Sequence, residues 1–151
     1  MSDNYHFSVG CVVRKEHQIL LVRHTYGGAK GKLLIPGGLC MENELPEEAA
    51  VREVLEETSV TAKVRRMLGI RCHRKTWYLL FDMDYVSGTP TSDMQENDEA
   101  LFCDISDALA REDCTEMTKT ALRKLSDGSA GYLYADAAYR KHKGDDYALY
   151  I

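Results

Sequence analysis

The chain has no run of about 18 consecutive apolar residues, no Cys-x-x-Cys pair and no surplus of positive charge. Each absence excludes something. Without a long apolar run no membrane-spanning helix is expected. Five cysteines at positions 11, 40, 72, 103 and 114, odd in number and unpaired in spacing, argue for reduced thiols and against a zinc site. A net charge of −5 argues against general nucleic-acid binding, which needs a basic surface. The first residues, Met1 to His6, lack a basic patch followed by an apolar stretch. No signal peptide is therefore expected, and the cytoplasm is the expected compartment. No internal repeat and no linker divides the 151 residues, a length that fits one domain with its own core.

What is present is ordinary in bulk, with 44% apolar and 28% charged residues. β-Rich runs at Phe7–Val13, Gln18–Val22 and Leu33–Ile35 precede Pro36-Gly37-Gly38. Pro46 opens a helix, where a missing N–H costs nothing, and Glu47 and Glu48 suit its first turn. Strands are expected at Ala62–Ile70 and Thr76–Tyr85, with a loop over Ser87–Asp98 and a strand at Ala100–Asp104. A short helix capped by Ser106 and a longer one over Thr115–Leu125 should follow. Residues 131–151, rich in tyrosine, follow no clear pattern. Irregular alternation of strands and helices predicts an α/β (α+β type) fold with a central mixed sheet flanked by helices.

The Pro46 helix carries the chemistry. Each residue turns a helix by about 100°, which places Glu53, Glu56 and Glu57 on one face. Ala50, Val51, Val54, Leu55 and Thr58 fall on the other, core-directed face. Like charges about 4 Å apart repel by roughly 4 kcal/mol at an effective dielectric of 20. A hard divalent cation, Mg²⁺ or Mn²⁺, reverses that sign and favours carboxylate ligands. An isolated acidic helix face would ordinarily be only a solvated one.

The wider pattern changes that reading. Gly38, Glu44, Arg52, Glu53, Val54, Glu56, Glu57 and Val60 resemble the Nudix box, the signature loop and helix of the Nudix hydrolases, at eight of nine specified positions. Such a match should arise by chance less than about once in 10⁷ windows. Ser59 stands where the family has a glycine that ends the helix in a left-handed conformation. The resemblance implies a Nudix-like α/β/α sandwich formed as a single domain over 1–151, with 131–151 as a tail of unassigned role. It also implies a metal-dependent hydrolase that cleaves a pyrophosphate bond in a nucleoside diphosphate linked to another moiety. A catalytically silent nucleotide-sensing module on the same fold is the alternative.

By the same resemblance Glu53, Glu56 and Glu57 hold the metal, with a carbonyl of Gly37 or Gly38 as an added oxygen ligand. Arg52 orients the glutamates, Glu44 ties loop to helix, and Glu53 is the first choice of general base. Glu96 and Glu99 stand where related enzymes supply another acidic ligand or base. Arg23 and Tyr78 are candidate substrate contacts. Gly27 to Lys32 departs from a Walker loop, since Tyr26 and Leu33 occupy two of its defining positions. Arg65, Arg66, Arg71, His73, Arg74 and Lys75 form a basic run whose ordinary reading is a solvated strand face. The expected partner is a small nucleotide. The tyrosine-rich tail could pack on the domain or form a homodimer interface.

Overall fold

The computed structural model describes residues 4–126 and 133–151. Strands β1 (His6–Lys15) and β2 (Gln18–His24) form a hairpin. Short strands β3 (Leu33–Leu34) and β4 (Gly37–Leu39) lead into helix α1 (Pro46–Thr58). Then come β5 (Thr61–His73), β6 (Thr76–Ser87) and β7 (Asn97–Asp104). Helices α2 (Ile105–Ala110) and α3 (Glu116–Ser126) follow, and α4 (Ala137–Lys143) and β8 (Tyr147–Tyr150) close the described chain.

The strands make one mixed sheet in the order β3-β2-β1-β6-β5-β8, with β4 added to β1 and β7 to β2. Only β1 and β6 run parallel among these pairs. Alternation along β1 sends Val9, Cys11 and Val13 to one face and Val12 to the other. The first face packs on Ala49, Ala50 and Val54 of α1. The second packs on Met117, Ala121 and Leu122 of α3, Tyr139 of α4 and Leu149 of β8. Helices thus cover both faces, as the α/β/α expectation requires. Asp82, fully buried at the centre of β6, is held by Arg14 of β1 at 2.7 Å and Arg66 of β5 at 3.0 Å. A buried carboxylate needs such partners, and these two lock three adjacent strands in register.

Several boundaries differ from the sequence reading. Helix α2 starts at Ile105, with Asp104 rather than Ser106 at its N-cap and no side-chain cap bond. Its entry is fixed instead by the Ile105 N–H donating to the His17 carbonyl. Asn97 and Asp98 belong to β7, and Arg71 to His73 belong to β5, whose turn is confined to Arg74 and Lys75. The unassigned tail is structured over 133–151: β8 pairs with β5 and Tyr139 is buried, while Tyr134 and Tyr150 are exposed. Residues 131 and 132 lie outside the described residues.

Ser59 ends α1 in the left-handed region at φ 59°, ψ 15°, its N–H donating to the Leu55 carbonyl. The chain therefore keeps the left-handed cap without the glycine that favours it. Replacing Ser59 with glycine removes that strain. A Ser59→Gly variant should melt higher, by about 0.5–1 kcal/mol of stability in a denaturation experiment; an equal or lower stability would show that Ser59 sits there without cost.

Candidate active site

Close backbone approach builds the site. Gly37 and Gly38 in β4 pair with Gly10 and Val9 of β1. A Cβ on Gly37 would lie 2.0 Å from the Val9 carbonyl oxygen, and one on Gly38 would lie 2.4 Å from the Glu53 carboxylate. Glycine at 37 lets β4 lie against β1, and glycine at 38 lets Glu53 of α1 lie against β4. The consequence is a rotation of the buried face from the one the sequence suggested. Glu53 and Glu57 are buried along with Ala49, Ala50, Val54 and Thr58, while Leu55 is half exposed. The carboxylate face is thus not a solvated one. Two of its three glutamates are pressed between helix and glycines.

Arg52 organises this face. Its guanidinium donates to Glu44 at 2.7 and 2.9 Å, to Glu53 at 2.8 Å, to Glu56 at 3.0 Å and to the Leu39 carbonyl at 3.0 Å. Glu44 also accepts from the Met41 N–H. The Arg52 bonds, chiefly, hold Glu44 down at about 2. Loop, helix and β4 are joined through one cation. Glu56 faces outward and is 56% exposed.

Glu57 lies beyond the reach of Arg52. It is 2% exposed, and its Oε1 accepts one bond, from the Gly37 N–H at 3.2 Å. Its Oε2 is buried with no hydrogen-bond partner. Burial pushes its pKa up to about 8; the Gly37 N–H opposes this, and Glu53, Glu96 and Asp93 add to it. Glu53 is also raised, first by burial, with Arg52 working against it. Among the described residues no three His, Cys, Asp or Glu side chains converge closely enough to hold a metal ion as they stand. The donor chemistry of the inner pair nevertheless fits a hard cation: two crowded, partly desolvated carboxylates, one with an unused oxygen.

Glu96 and Glu99 part company. Glu96 is close enough to raise both Glu53 and Glu57, and it accepts from the Tyr26 hydroxyl at 3.4 Å. Glu99 instead binds Arg23 at 2.8 Å, and Arg23 also binds Asp113 at 3.0 Å and the Gly31 carbonyl. Arg23 therefore sits in an ion-pair cluster with Glu99 and Asp113. Tyr78 lies on the opposite face of the sheet from α1, its hydroxyl filling the space that a Gly10 Cβ would occupy. Of the basic run, Arg65 pairs with Asp84, Arg66 with Asp82 and Arg74 with Asp146, whereas Arg71 stacks over Tyr78 at 4.6 Å.

Two contributors were missed in the sequence. Asp93 accepts three backbone N–H groups, from Gln95, Glu96 and Asn97, and so shapes the turn that presents Glu96. Buried Asn97 donates to the Glu57 carbonyl at 3.0 Å, tying that turn to the end of α1. An Asp followed by two or three residues whose N–H groups it can cap was the available signal.

A mixed sheet between two helical layers, with a glycine-bearing strand feeding a carboxylate helix, defines the Nudix class of fold. The NUDIX domain model matches residues 4–124, and the chain belongs to that family. An ADP-ribose pyrophosphatase of Methanocaldococcus jannaschii is 38% identical over 63 residues, 42% of this chain and 37% of that protein. A putative nudix hydrolase 1 of Caenorhabditis elegans is 28% identical over 82 residues, 52% of this chain and 22% of that protein. The matched segments thus span little more than a third, and less than a quarter, of those relatives. A NUDIX hydrolase structure from Nitrosomonas europaea superposes with a TM-score of 0.71 and 25% identity, covering 83% of this chain and 90% of that one.

The raised Glu57 has a measurable consequence. Its folded pKa of about 8 exceeds the ordinary value of 4.5, so ionising it opposes folding. The penalty is absent below about pH 4.5, grows as pH rises and is complete above about 8, on the order of a few kcal/mol. In chelator, the stability of the wild type relative to Glu57→Gln should fall steadily from pH 5 to 8.5. A pH-independent difference in chemical denaturation would contradict this placement of Glu57.

Proposed function

We propose that the chain is a metal-dependent pyrophosphohydrolase acting on a nucleoside diphosphate linked to another moiety. The observation that carries this reading is the pairing of buried Glu53 with buried Glu57, whose Oε2 has no partner. Such an arrangement costs stability unless a cation occupies it. Glu53, Glu56 and Glu57 are the proposed ligands of Mg²⁺ or Mn²⁺, with Gly37 or Gly38 contributing a carbonyl oxygen. Glu56 takes part by leaving Arg52, its one hydrogen-bond partner among the described residues. Glu96 is a further ligand or base from the opposite side, and Glu99, held by Arg23, is the less favoured of the two.

When bound, such a cation supplies charge neutralisation at the bridging and leaving oxygens of a diphosphate. The protein groups do the rest. Glu53 is the proposed base that takes the proton of the attacking water, since it sits centrally among the carboxylates. Arg52 keeps Glu53 oriented, and Glu44 keeps Arg52 in place. Gly37 holds Glu57 by its N–H. Nucleoside triphosphates, nucleotide sugars, ADP-ribose and dinucleoside polyphosphates are the substrate candidates; the name of the M. jannaschii relative supports ADP-ribose as one of them.

Glu57→Gln and Glu56→Gln should each lower divalent-dependent turnover of a nucleotide panel by at least about 100-fold, with circular dichroism unchanged. Variants that keep wild-type turnover would sink the assignment. Ligand binding by the wild type with no release of phosphate or nucleotide product would instead favour the silent sensor.

A further inference from the structure

Across the sheet from α1 lies a cavity of about 430 Å³. Its floor is the Arg71–Tyr78 pair, directly opposed on β5 and β6, with the guanidinium stacked on the ring at 4.6 Å. Its near wall includes Ile35, two residues before the Gly37 that holds Glu57. Its far wall is α4, through Tyr139, His142 and Lys143, which lie beyond the stretch matched by the family model. Lys32 borders the opening.

Two buried polar atoms of this cavity have no hydrogen-bond partner: Arg71 Nε and the Tyr139 hydroxyl oxygen. Tyr139 itself is only 3% exposed. A buried N–H and a buried O–H without acceptors destabilise a fold, and both belong to residues that line this one cavity, where an acceptor would satisfy them. Stacking on Tyr78 fixes the plane of the Arg71 guanidinium, a geometry suited to a planar fork on a phosphate. Lys32, Lys143 and Arg71 add positive charge, and neither lysine has an ion-pair partner among the described residues. The one acid lining the cavity, Glu116, is paired with Arg123 at 2.7 Å.

We infer that this cavity binds a phosphomonoester group of the substrate, through Arg71, Tyr139, Lys32 and Lys143. The inference rests on the hydrolase reading and narrows it. Substrates carrying a phosphate beyond the diphosphate that is cleaved are selected over those whose second moiety is a neutral sugar. The C-terminal segment is then a specificity element. Without α4 the cavity loses Tyr139 and Lys143, two of its four donors to phosphate.

The test uses ribose 5-phosphate, ribose and inorganic phosphate as probes, titrated calorimetrically into the full chain in chelator at low salt. Ribose 5-phosphate should bind and ribose should not. Tyr139→Phe should weaken binding roughly tenfold and Lys143→Gln at least about threefold, with the melting temperature of Lys143→Gln unchanged and that of Tyr139→Phe equal to or above the wild type's. Glu57→Gln should bind the probe as the wild type does, because Glu57 lies on the other face of the sheet. Loss of turnover in Glu57→Gln with intact probe binding therefore separates this inference from the hydrolase reading. Equal affinity for ribose and ribose 5-phosphate, unchanged binding in both pocket variants, or inorganic phosphate binding as tightly as the sugar phosphate would overturn it.

Discussion

The closeness of α1 to the Gly37–Gly38 backbone governs the rest of the site. No side chain fits between Gly38 and the Glu53 carboxylate, or between Gly37 and the Val9 carbonyl. That approach removes Glu53 and Glu57 from water and leaves them beside each other. Everything around them can be read as partial compensation. Arg52 neutralises Glu53, Gly37 gives Glu57 one N–H, and Asn97 anchors the helix end from the far loop. The compensation stops short of Glu57 Oε2, and this shortfall points to a cation.

The two helical layers divide the labour differently. On one side of the sheet lie the glutamates, of which Arg52 holds Glu44, Glu53 and Glu56. On the other, Arg71, Lys32 and Lys143 surround a cavity whose walls include the C-terminal helix. The sheet carries both because alternation along β1 and β6 sends successive residues to opposite faces. Gly10 shows the coupling: it pairs with Gly37, the donor to Glu57, and leaves room for Tyr78. A substitution at Gly10 would therefore disturb both faces.

Strands β1, β2, β3, β5, β6 and β7 and helix α1 were legible because their hydrophobic patterns are regular and Pro46 marks a start; β4, built on Gly37 and Gly38, was not. The spacing of Gly38, Glu44, Arg52 and the glutamates was legible because the family's loop and helix require it. Burial of Glu53 and Glu57 was not. A helical wheel places charge toward solvent, and only the missing Cβ atoms at Gly37 and Gly38 reverse that. The division between Glu96 and Glu99 was equally hidden. It depends on Asp93 shaping a turn and on Arg23 reaching Asp113, a residue 90 positions away. The tail defeated periodicity because α4 and β8 are short and gain their stability from pairing with β5 and from burying Tyr139.

The central claim is that a divalent cation displaces the proton held by Glu57 and partners its unused Oε2. Calorimetric titration of Mg²⁺ or Mn²⁺ at pH 7, repeated in buffers of different ionisation enthalpy, measures it directly. With Glu57 pushed up to about 8, binding should release up to one proton per cation at pH 7 and almost none at pH 9.5, and Glu57→Gln should abolish the release. Cation binding with no proton release at pH 7, or no cation binding at all, would contradict the account.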